Sequence, residues 1–234
     1  MTTDDFNETD PFDVAPLRLT VDLSAVAENW RAMAKRSGNA RAGAVVKADA
    51  YGLGAARVAE RLHAHGCRHF FVAQFVEALR LRPLLAADAT VFVLNGLQPG
   101  NELACAREGI VPVINSLEQW RQWADAARSL ARRLPAVLQF DTGMSRLGVP
   151  PEERAALAEL VSGDSGVDVL FVMSHLACAD DADSAQNGEQ SAEMARVSAQ
   201  FPQFPVCFAN SGGIFLGKAY HGVLARPGIA LYGG

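Results

Sequence analysis

The 234 residues are half hydrophobic and one-fifth charged, with a net charge of −5 and a mean hydropathy near zero, the balance of an ordinary soluble globular protein. A pI of about 5.5 and the lack of any block of like charges argue against nucleic acid or an anionic membrane surface as a partner. No run approaches the roughly 18 apolar residues of a membrane span, and Cys67, Cys105, Cys178 and Cys207 form no Cys-x-x-Cys pair, so they read as free thiols in a reducing cytoplasm.

Residues 1–16 are acidic, lack the basic and apolar regions of a signal segment, and read as a flexible leader. Residues 17–23 alternate for a short strand, and Ser24 is placed to cap a helix through Val26, Trp30 and Met33. The stretch from Arg41 to Val46 is small and β-branched, the mark of a buried parallel strand, and Lys47 stands at its end before Gly52 and Gly54 open a helix. Strand and helix then alternate: strands over 69–73, 90–94, 111–114, 136–140, 167–173, 206–209 and 223–232, with helices between them. Counted from the Lys47 strand there are eight, the number that closes a TIM-type (β/α)8 barrel, so residues 17–234 are expected to form one α/β barrel domain. The most loop-like interior piece is 177–188, rich in Asp, Ala, Ser and Asn.

A barrel places its chemistry at the C-terminal ends of its strands. There the apolar runs give way to Lys47, Asn95, Asn115, Asp141 with Arg146, His175, Asn210 with Ser211, and the turn from Arg226 to Ile229. Any one of these reads equally as a turn or capping residue; seven strands of eight ending this way point to a site. An ammonium at a buried strand end must be paired, neutral, covalently used or led out to solvent. A desolvated lysine suits Schiff-base chemistry, because only the free amine attacks an aldehyde. Ala209-Asn-Ser-Gly-Gly213 joins a strand to a helix start after strand seven, where barrels tend to form anion sites. Arg146 in a glycine-flanked loop offers a planar fork for a carboxylate or phenolate. The remaining histidines show no metal-ligand spacing, and no metal is assigned.

The segment Val45-Val-Lys-Ala-Asp-Ala-Tyr-Gly-Leu-Gly54 resembles, nearly letter for letter, the cofactor-lysine segment of the alanine racemases, barrel-type pyridoxal phosphate (PLP) enzymes; Asp141-Thr-Gly-Met-Ser-Arg-Leu-Gly148 resembles a second segment of that family. The resemblance implies an isomerase that interconverts L- and D-alanine, the latter a peptidoglycan precursor, and that works as a homodimer. It further implies that Lys47 carries PLP as a Schiff base and is the catalytic base on one face, with Tyr51 beside the cofactor. Arg146 would contact the phenolic oxygen and the substrate carboxylate, and Met144 would line the substrate pocket through its backbone. His175 would stack on the ring, while Ser211 with the backbone of Gly228 and Ile229 would cradle the phosphate beside Asn210. Arg226 would face the pyridine nitrogen, donating a hydrogen bond without protonating it, because guanidinium keeps its proton above pH 12. Two departures stand out. Many members carry a carbamylated lysine where this chain has Gln139, and neither tyrosine of the family's C-terminal β domain has a match here, which suggests a fragment: a barrel without that domain and without its second base. A racemase of broader specificity, a lone-barrel PLP homeostasis protein and a barrel without PLP are the alternatives.

Overall fold

The computed structural model describes residues 16, 17 and 19–234; the leader expected over 1–16 lies outside them but for Pro16. Among the described residues of 17–23 there is no strand. Helix α1 (Leu23–Arg36) begins there instead, capped by Asp22, whose Oδ1 accepts from the N–H groups of Ser24 (2.8 Å) and Ala25 (3.2 Å). An aspartate placed just before an apolar helical pattern stops extension and satisfies the first free donors, so the cap is Asp22 and not Ser24.

Strands β1 (Arg41–Ala42) and β2 (Ala44–Val45) are one line of chain, interrupted at Gly43, where a Cβ would lie 2.9 Å from both the His69 carbonyl and the Phe71 ring. After α2 (Lys47–Tyr51) and α3 (Ala55–Ala64) come β3 (His69–Val72), α4 (Phe75–Leu81), β4 (Thr90–Val93), α5 (Glu102–Arg107), β5 (Val111–Ile114) and α6 (Leu117–Ser129). The second half runs β6 (Leu134–Gln139), α7 (Arg154–Ser162), β7 (Val167–Met173), α8 (Ala185–Gln200), β8 (Val206–Cys207), α9 (Ser211–Leu216) and β9 (Leu224–Ala225). Strands β2 to β8 pair in chain order, all parallel, and β9 pairs with β1 through Arg41↔Leu224 and Ala42↔Ala225. A bridge from Asn210 to Arg226 ties the β8 end to the β9 end, so the pairings return to their start and the expected barrel closes with eight strands.

Alternation along each strand divides the apolar residues into two sets. Val45, Phe71, Phe92, Val137, Phe171, Met173 and Leu224 point inward and fill the barrel, with Phe71 and Phe92 stacked at 4.6 Å. Phe70, Val72, Val91, Val93, Ala136 and Leu138 point outward to the helices. Strands apolar on both faces are the reason the sequence shows unbroken hydrophobic runs there. The one loop expected over 177–188 is only half a loop: α8 begins at Ala185, and its buried Asn187 and Gln190 face the protein rather than solvent.

Candidate active site at the C-terminal face of the barrel

Lys47 opens α2, which is not an ordinary helix. Ala48, Asp49, Ala50 and Tyr51 all have φ between 51° and 56°, a left-handed turn made without glycine. Each such residue costs roughly 1–2 kcal/mol in this conformation, so surrounding contacts must over-determine it. They do. The Ala50 N–H donates to the Val46 carbonyl (2.9 Å) and the Gly54 N–H to the Asp49 carbonyl (2.9 Å). The Asp49 carboxylate accepts from the Ala55 N–H (2.7 Å), joining the turn to α3. Glu77 Oε1 accepts from the Ala48 N–H at 2.6 Å.

The turn brings Lys47 and Tyr51 to one cavity of about 330 Å³, with Lys47 Nζ 6.0 Å from the centre of the Tyr51 ring. Met144, His175, Asn210, Ser211, Arg226, Gly228 and Ile229 line the same cavity, together with Leu94, Ala179 and Asp180, to which the sequence assigned no role. Arg146 lies in an adjoining space of about 370 Å³ that shares Lys47, Leu94 and His175 and adds Asn95 and Gln139. The ten residues to which the family resemblance gives a role therefore line the two adjoining spaces. Asn115 does not: its amide donates to the carbonyls of Leu94 and Val113 and serves the strand ends, the bland reading for a polar residue in that position.

Several of these groups are held rigidly. Arg226, 2% exposed, donates to the carbonyls of Cys207 (3.0 Å), Ser174 (2.6 Å) and Phe208 (3.4 Å) and to Cys207 Sγ (2.9 Å). All its partners are neutral, so its charge reaches the cavity undiminished by an ion pair. Asn210 caps α9 by accepting from the Gly213 N–H (2.9 Å) and donates to the Leu176 carbonyl (3.1 Å). Ser211 Oγ accepts from the N–H groups of Gly228 (2.9 Å) and Ala230 (3.3 Å). The Gly228 N–H, expected to face a phosphate, is thus engaged by the serine, which still has its own hydroxyl proton to donate. A Cβ on Gly228 would meet Tyr51 Oη at 2.5 Å, so only glycine lets the ring approach. Tyr51 also packs on Tyr232 (4.9 Å), whose hydroxyl donates to the Val45 carbonyl (2.9 Å).

The Arg146 side is built differently. Asp141 Oδ1 accepts from the N–H groups of Gly143, Met144 and Ser145 at 2.9–3.1 Å and so winds the loop. Gln190, fully buried on α8, accepts from the Ala177 N–H (2.8 Å) and donates to Thr142 Oγ1 (3.2 Å) and the His175 carbonyl (2.9 Å). Among the described residues the Arg146 guanidinium and the Gln139 amide make no hydrogen bond, to each other or elsewhere; they share a cavity and are not joined.

Electrostatics follow from this crowding of cations. Burial lowers the Lys47 pKa, as does Arg146, against an opposing pull from Glu77. Burial, then Arg226, Arg146 and Lys47, lower His175 to about 3, so its imidazole is neutral at working pH. Burial raises the Tyr51 hydroxyl. A space flanked by Lys47, Arg146 and Arg226 suits an anionic ligand, and a lysine whose pKa is lowered suits attack on a carbonyl.

Residues 21–234 match the family model described as alanine racemase, N-terminal domain. A catabolic alanine racemase of Rhizobium johnstonii is 68% identical over 216 residues, 92% of this chain and 57% of that protein; one from Brucella ovis is 56% identical over 92% of this chain and 54% of its own length. The crystal structure of an alanine racemase from Bartonella henselae with covalently bound pyridoxal phosphate is 41% identical and superposes with a TM-score of 0.88 over 91% of this chain and 62% of that one. The biosynthetic enzyme of Pseudomonas aeruginosa gives 0.84 at 33% identity, over 92% of this chain and 59% of that chain. The chain thus spans somewhat more than half the length of these relatives, and by the match of its barrel and of its sequence it belongs to the alanine racemase family, of which it carries the N-terminal domain.

Proposed function

We propose that this chain is the cofactor-holding barrel of a PLP-dependent racemase that interconverts L- and D-alanine. The observation that carries this reading is the convergence of Lys47, Arg226 and Ser211 on one cavity whose other walls are Tyr51 and the neutral His175. The relatives named for alanine racemisation, and the relative with covalently bound cofactor, support the substrate and the cofactor.

The residues fit PLP. Lys47 supplies the amine, Ser211 and the α9 start offer a hydroxyl and N–H groups to a phosphate, and Gly228 keeps Tyr51 close enough to wall the ring. When bound, PLP withdraws electrons from the substrate Cα and so acidifies its hydrogen. The protein's part is to position and to move protons. Lys47 Nζ, its pKa lowered by burial, would take or deliver the Cα proton on one face, and racemisation calls for a second proton carrier on the opposite face, which the family resemblance assigns to the C-terminal domain. Arg226 would donate a hydrogen bond to a ring nitrogen without protonating it, as a guanidinium does. A ring nitrogen left unprotonated would withdraw electrons from Cα less strongly, which would favour reprotonation at Cα over transamination. The Arg146 fork is free to take the substrate carboxylate.

Homodimer assembly, action in the cytoplasm and supply of D-alanine as a peptidoglycan precursor belong to the same reading, supported by family membership and by four free cysteines; no helix among the described residues is long and apolar enough to cross a membrane. The test is spectroscopic. Purified chain given PLP is expected to develop a near-visible band that borohydride fixes to the peptide containing Lys47, and Lys47→Ala is expected to lose both. PLP binding of equal strength in Lys47→Ala would refute the assignment. Racemisation of alanine is the next assay.

A further inference from the structure

Glu77 belongs to α4, outside both cavities, and its carboxylate accepts from three backbone N–H groups. Oε2 takes those of Ala73 (2.8 Å) and Gln74 (2.8 Å), at the end of β3. Oε1 takes that of Ala48 (2.6 Å), the residue directly after Lys47. The bond to Gln74 is half of a capping box at the α4 start, an ordinary duty for a glutamate in the first turn of a helix. The bond to Ala48, 29 residues away, is not part of capping. It falls on the first of four left-handed residues, the point at which the chain commits to an unfavourable conformation.

We propose that Glu77 is a positioning residue for Lys47, clamping the left-handed turn to the end of β3 and so fixing where the lysine amine stands in the cavity. The inference rests on the reading of Lys47 as the cofactor-bearing amine, but the geometry concerns the protein alone. A carboxylate suits the task because it is an acceptor at every lone pair and can meet three N–H donors at once. Its negative charge also opposes the two effects that lower the Lys47 pKa, burial and Arg146. Charged and titratable groups around Lys47 are then Tyr51 and Asp49 on its own turn, Glu77 from α4, Arg146 after β6, His175 and Asp180 after β7, and Arg226 after β9.

The chain has three lysines, Lys35, Lys47 and Lys218. Reductive 13C-methylation therefore gives few NMR signals, and Lys47→Ala assigns the one in question. In Glu77→Gln, which keeps size but turns an N–H donor toward N–H donors, the Lys47 titration is expected to move to lower pH. Exchange of the Ala48 amide proton is expected to quicken by roughly tenfold, the loss of one hydrogen bond to a charged group, and borohydride-fixed PLP attachment to slow by a similar factor. Gln74→Ala, which removes the rest of the capping box, is expected to leave the Lys47 titration and Ala48 protection as in the wild type. Either of two results overturns the proposal: Glu77→Gln with both readings unchanged, or Gln74→Ala moving both as far as Glu77→Gln does. Should Glu77→Gln not fold, Glu77→Asp decides: drawing the carboxylate back by one carbon is expected to quicken exchange of the Ala48 amide, and unchanged exchange refutes the clamp. The first two readings need no cofactor, so a failure of PLP attachment at Lys47 would sink the functional reading and leave the clamp standing or falling by itself.

Discussion

The two sides of the candidate site satisfy their polar groups in opposite ways. Around β8, α9 and β9, Arg226, Asn210 and Ser211 are buried or half-buried and occupied by backbone partners, and the walls are close enough that one added carbon at Gly228 would collide with Tyr51. Around the β6 end, the backbone is just as firmly held, by Asp141 and Gln190, but the functional side chains Arg146 and Gln139 are left with no protein partner among the described residues. The first side is finished before any ligand arrives; the second keeps its donors available. A group that stays bound through many turnovers calls for the first arrangement, whereas a substrate that must leave each time calls for the second.

The sharpest way to break the contrast is Gly228→Ala. Its methyl would lie 2.5 Å from Tyr51 Oη and 3.3 Å from Val45 Cβ, so a cost of about 1–3 kcal/mol in urea unfolding is expected, with loss of PLP retention. Removing the hydroxyl in Gly228→Ala/Tyr51→Phe is expected to restore part of both, and a purely additive double mutant would show that the collision is not the cause. On the other side, Gln190→Leu deprives the Ala177 N–H of its acceptor and is expected to cost about 1–3 kcal/mol, with a smaller loss of PLP retention than Gly228→Ala because Gln190 reaches the cofactor wall only through the His175 and Ala177 backbone. The smallest effect is expected of Arg146→Ala. An exposed side chain without partners is worth less than about 0.5 kcal/mol in stability, so thermal melting should barely move while alanine turnover falls; a large loss of stability would show that this side is not held open.

The fold was legible because parallel strands buried on both faces write themselves as apolar runs, and the eight strands were found in order. What failed were short-range details. Residues 17–23 alternate like a strand, yet Asp22 caps a helix that starts at Leu23, and the described residues before it form no strand. The first turn of α8, Ala185 to Gly188, looks like loop because it carries the buried Asn187 and a glycine where leucines would mark a helix. The site residues were legible at strand ends, and their chemical roles came from family resemblance. The supporting residues were not legible. Glu77 could be found only as a helix cap, three residues after Gln74, and Gln190 carries no local signal at all, since its partners lie 13 to 48 residues away.

The left-handed turn after Lys47 also bears on how this protein responds to selection. Glycine at Ala48 or Asp49 would relieve a conformational penalty that the native residues must bear. A library screened for heat resistance alone would therefore be drawn to these positions, gaining melting temperature while loosening the segment that presents the lysine. Screens that couple survival to turnover should return alanine and aspartate there, and the divergence between the two outcomes would map where the chain trades durability for work.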